Sequence, residues 1–82
     1  MTTSYNGHKN WNHWNVSLWI NNDAGLYELA KRSIAATSTR VTASRKRAAE
    51  YMLDSLREYG QEKTPDGAPY SVSSIRAAMV GM

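Results

Sequence analysis

The chain contains no cysteine and no phenylalanine among its 82 residues, and only two prolines. Without cysteine there is no disulfide staple, no thiolate metal site and no thiol nucleophile, so the disulfide-built secreted scaffolds are excluded and stability must come from packing. No apolar run approaches the ~18 residues of a membrane helix. The first ten residues, MTTSYNGHKN, are polar where a signal peptide would place its apolar stretch. The expectation is a soluble, cytoplasmic protein with no membrane partner. Gly-x-Ser-x-Gly elbows, phosphate-cradling glycine loops and sustained strand alternation are also missing.

What is present is 41% apolar and 21% charged, a balance that suits one small folded domain. Residues 1 to 9 follow no helical or strand period and read as a flexible arm, leaving 10 to 82 as a single helical domain. From Asn10, a capping residue, Trp11, Trp14 and Leu18 recur at i, i+3 and i+7. At about 100° per residue Trp19 sits about 80° round from Trp11 and Ile20 on the opposite side, so the apolar arc covers more than half the circumference and predicts a largely enclosed helix one, with Trp19 at the margin of the stripe as the best surface anchor. Asn15 falls within the arc, where an unpaired amide would cost ~1–3 kcal/mol, so it needs a partner.

Asn21, Asn22 and Asp23 interrupt the pattern and cap helix two, whose stripe is Leu26, Leu29, Ala30 and Ile34. The Ser/Thr-rich stretch 36 to 44 predicts a cap for helix three at Ser38 or Thr39. Helix three then runs to about Tyr59 with Ala48, Ala49, Met52, Leu53 and Leu56 inward and Gly60 as its stop. Pro65-Asp66-Gly67 has type I turn chemistry. Ser71 caps a short last helix, with Tyr70 and Ile75 spaced as a hydrophobic staple. Val72, Ile75 and Met79 form its stripe. The fold class is therefore all-α, a compact bundle of about four helices, the first and last short.

Charge is unevenly placed. Residues 31 to 47 hold Lys31, Arg32, Arg40, Arg45, Lys46 and Arg47 with no acid, whereas Glu50, Asp54, Glu58, Glu62 and Asp66 dominate residues 50 to 66. Helix three thus begins basic and ends acidic, against its own dipole at ~0.3–1 kcal/mol per misplaced charge. Either neighbours such as Glu28 compensate, or an external anion uses the cluster. Arg40, Arg45, Lys46 and Arg47, flanked by Lys31 and Arg32, are the candidate contact for an acidic protein surface or for phosphates, with Trp19 as an aromatic neighbour. The bland alternative is a solvated face in which Lys46 pairs with Glu50. His8 and His13 would stand about 140° apart on a helix, a poor geometry for one metal. The reading expects no enzyme, no metal and no cofactor.

The run NGHKNWNHWNVSLWINNDAGLY, residues 6 to 27, resembles a signature of small phage- and prophage-encoded proteins, NW-x-x-WNV-x-LW-x-x-ND-x-GLY. The match is carried by Asn10, Trp11, Trp14, Asn15, Val16, Leu18, Trp19, Asn22, Asp23, Gly25, Leu26 and Tyr27, and PDGAPYSV-x-x-IRAAM looks similar too. The resemblance implies a short phage gene whose product binds and inhibits a host protein or ribonucleoprotein complex, as anti-CRISPR and other counter-defence factors do. The net charge of +3 excludes acidic DNA mimicry. The alternatives are a basic helical nucleic-acid-binding module and a homodimeric or larger structural component.

Overall fold

A computed structural model describes residues 10–38 and 44–82; the expected arm at 1–9 and Arg40 lie outside the described residues. Four helices follow in order: α1 Trp11–Asn22, α2 Ala24–Thr37, α3 Arg45–Glu58 and α4 Val72–Ala78. Between α3 and α4 the chain forms a small hairpin whose only β-pairing, among the described residues, is an isolated antiparallel bridge of Lys63 and Pro69. The helices close in a ring, α1 packing on α2 and α4, and α3 packing on α2 and α4.

Each helix begins on a side-chain cap. Asn10 accepts from the His13 amide at 3.0 Å and Asp23 from the Leu26 amide at 2.9 Å. Asp23 does double duty, because its own amide donates to the Trp19 carbonyl and closes α1. Ser71 and Ser74 bond reciprocally in a capping box that starts α4. Gly60 ends α3 with φ 73°, its amide donating to Arg57 and the Gln61 amide to Leu56, the paired bonds of a Schellman stop.

Helix three does not start where the Ser/Thr content suggests. Ser38 closes α2 instead, and Ser44 caps α3 by accepting from the Arg47 amide. The hydroxyls of Ser33, Thr37 and Ser38 each donate to the carbonyl four residues back, so the same residues that could have opened a helix prolong and finish the preceding one.

The core is drawn mostly from α3, where Ala48, Ala49, Met52, Leu53 and Leu56 are buried as expected, and from Ile75, Ala78 and Met79 of α4. Val72, Leu26, Leu29 and Ile34 pack partly buried around it. On α1 the expectation is overturned. Val16 and Ile20 are completely buried and Asn15 nearly so, whereas Trp11 and Leu18 are each 39% exposed. The helix is not enclosed on most sides, and the part of it that faces in is centred on Val16 and Ile20. Val16 and Ile20, the two β-branched residues of α1, join the buried cluster on the side where α1 packs on α2 and α4.

Candidate functional site

Asn15 finds its partners across 51 and 49 residues of chain. Its Nδ2 donates to Asp66 Oδ2 at 2.9 Å, and its Oδ1 accepts from the Thr64 hydroxyl at 2.6 Å. Trp19, one turn further along α1, donates its indole N–H to the same Asp66 oxygen at 2.9 Å. Thr64 Oγ1 in turn accepts from the Ala68 amide at 3.0 Å. The turn that presents Asp66 is closed by the Gly67 amide donating to the Thr64 carbonyl at 2.8 Å, with Pro65 in the second position and Gly67 at φ 94°, where a side chain would be strained. Two donors on one carboxylate favour its charged form: the bond from Asn15 first and that from Trp19 second hold Asp66 below the usual carboxylate range, against a smaller opposing cost of desolvation.

This knot fixes one wall of a groove of about 460 Å³ between the α1–α2 corner, the end of α3 and the hairpin. Trp19, Tyr59, Tyr70 and Pro65 supply its ring surfaces, and Asp23 and Lys63 its charges. Tyr70 is almost buried and Tyr59 is 75% exposed, so the groove has a fixed floor and a free rim. Burial, followed by the charge of Asp23, pushes the Tyr70 hydroxyl above its ordinary pKa. The volume lies within the ~300–1,000 Å³ of small-ligand clefts.

The cations expected to form one contact are distributed differently. Lys31 and Arg32 are exposed on α2, and the Lys31 ammonium stands 5.6 Å over the Tyr27 ring. Arg45 is half-buried, its guanidinium donating to the Met82 backbone oxygen at 2.6 Å. That bond ties the start of α3 to the segment that follows α4. Lys46 and Arg47 are exposed, and neither side chain forms an ion pair or hydrogen bond among the described residues. Lys46 lines a groove of about 490 Å³ between α3 and α4, facing Arg76, Ser73 and the 82% exposed Val80. Arg76 was not among the expected residues, because only the antiparallel packing of α4 on α3 brings it beside Lys46. Trp19 belongs to the other groove.

His13 Nε2 lies 2.9 Å from the Ser73 hydroxyl and joins α1 to α4, while His8 is outside the described residues. Among the described residues no three His, Cys, Asp or Glu gather as a metal site, and no helix is long and apolar enough to cross a membrane. Glu50 and Asp54 of the acidic strip line a shallow groove with Arg57, Leu53 and Val72.

Residues 1–82 match the family described as "Family of unknown function (DUF7249)". The chain belongs to DUF7249. No curated protein and no solved structure matches it. In this DUF7249 chain the residues of the NW-x-x-WNV-x-LW run divide between the two surfaces of α1. Asn15, Val16 and Trp19 hold the hairpin and core, and Trp11 and Leu18 remain at the surface.

Proposed function

We propose that this DUF7249 chain is a small phage-encoded protein that acts by stoichiometric binding, engaging an acidic surface of a host complex through the groove between α3 and α4. The observation that carries the reading is the pair Lys46 and Arg76, set in one groove beside exposed Val80, with neither side chain forming an ion pair among the described residues. Unpaired cations around an exposed apolar residue combine electrostatic steering with a little desolvated contact, which is how rim charges raise association rates and select partners. Arg47, exposed one residue on, extends the positive field. The phage origin and a defence complex as target rest on the resemblance of the tryptophan-rich run.

The test compares the wild-type chain with Lys46→Glu/Arg47→Glu/Arg76→Glu in capture from bacterial host lysate, alongside circular dichroism. The variant should keep its helical spectrum, because all three positions are exposed, and lose the captured complex. Undiminished capture refutes the contact surface. Random duplex DNA is titrated in parallel. Affinity that falls steeply with salt, together with capture abolished by nuclease, would replace the protein partner with nucleic acid.

A further inference from the structure

We propose that the aromatic groove at the α1–α2 corner receives an arginine side chain from a partner protein. This surface shares no lining residue with the α3–α4 groove, so the inference stands or falls by itself.

Trp19 is half-buried and its indole is pinned by the bond to Asp66, so one ring of the groove is oriented before any ligand arrives. Tyr70 forms the floor and the largely exposed Tyr59 stands at the rim, free to close on a guest. Rings attract cations to their faces, and a planar guanidinium stacks on them more readily than an ammonium because it is more weakly hydrated. The charge agrees. Asp23 lines the groove, Asp66 is bonded to the Trp19 indole N–H, and among the described residues the one Lys or Arg lining it is Lys63, in the hairpin. Asp23 reaches the interior with its field, since it adds to the effect of burial on Tyr70. A guanidinium entering beside Lys63 would find the Asp23 carboxylate, with acceptor capacity beyond its bond from the Leu26 amide, and ring surfaces to stack on. An apolar side chain would leave the charge of Asp23 with the Leu26 amide alone, and an acidic one would be repelled by it.

The test follows the Trp19 indole N–H resonance, assigned by its loss in Trp19→Phe, as the intact protein is titrated with N-acetyl-arginine amide or its neutral counterpart N-acetyl-citrulline amide. The arginine probe should give a saturable shift in the millimolar range, and the citrulline probe roughly ten-fold weaker binding, the factor for losing a charged hydrogen-bond partner of ~1.4 kcal/mol. Asp23→Asn keeps a good helix cap and should weaken the arginine probe. Tyr59→Ala should weaken it roughly two- to five-fold, the range of an exposed cation–π contact. Lys63→Ala should tighten it. Equal shifts from the two probes, no saturable shift, or affinity unaffected by Asp23→Asn and Tyr59→Ala would each overturn the proposal. Because none of these variants alters Lys46 or Arg76, the result does not depend on the contact surface proposed above.

Discussion

Replacing Asn15 by leucine tests the joint on which the hairpin hangs. The side chain is 1% exposed and makes two bonds to the hairpin, one to Thr64 and one to Asp66. Leucine keeps the branch at Cγ, and its bulkier methyl groups add an overpacking cost to the loss of the two bonds. The Thr64 hydroxyl loses the acceptor for its proton in a buried setting, which costs ~1–3 kcal/mol, and Asp66 keeps only the Trp19 donor. Taking ~2 kcal/mol, and about 4–8 °C per kcal/mol for a domain of this size, the melting temperature should drop by about 8–16 °C. Thr64→Val carries a further cost, because the Ala68 amide also bonds to that hydroxyl. This cost is common to the single and the double variant, so the cycle removes it. Asn15→Leu/Thr64→Val should therefore be less destabilised than the sum of the singles by ~1 kcal/mol. Thermal and urea denaturation followed by circular dichroism read both quantities. A melting temperature within about 2 °C of wild type for Asn15→Leu would refute the reasoning, as would strict additivity in the cycle.

Ile20→Ala should cost ~2–5 kcal/mol, and Leu18→Ala clearly less, because Ile20 is fully buried and Leu18 is 39% exposed; the reverse order in denaturant midpoints would restore the tryptophan-facing orientation of α1. Ser71→Ala removes the capping box of a 7-residue helix and should destabilise by ~0.5–2 kcal/mol in the same assay. Asp66 titrates lower in the folded chain than unfolded, so its stabilising contribution is complete above the unfolded carboxylate value near 4 and is lost as pH falls through the lower folded value. Asp66→Asn should flatten that acid limb of stability against pH. Tyr70 titrates higher when folded, so its contribution is present below about 10 and disappears as pH rises through the folded value. Tyr70→Phe should leave stability at neutral pH close to that of the wild type while removing the alkaline loss.

Much of the helical content is readable from local chemistry. Asn10, Asp23 and Ser71 cap the helices they were expected to cap, Gly60 stops α3, and the five inward positions of α3 are buried. These are short-range effects in which a side chain satisfies an amide two or three residues away, or apolar residues recur along one face, so sequence spacing carries them. The cap at Ser44 was not legible, because a Ser/Thr-rich stretch can satisfy carbonyls behind it as well as amides ahead of it. On α1 hydrophobicity misled, since bulk and burial diverge in a core built around alanine.

The candidate surfaces separate along the same line. Lys46 and Arg47 could be named from charge density alone, as could Trp19 from its place on helix one. That Arg45 is tied to Met82, that Arg76 joins Lys46, and that Trp19 and Asn15 converge on Asp66 follow only from how the helices close into a ring. The sequence by itself determined four helical segments, three of their caps and a basic stretch, because those depend on neighbours within one or two helical turns. Tertiary structure decided which face of α1 is inside, which cations remain unpaired and where the aromatic groove opens. Those outcomes depend on volumes and polar partners supplied by residues dozens of positions away, where spacing along the chain holds no information.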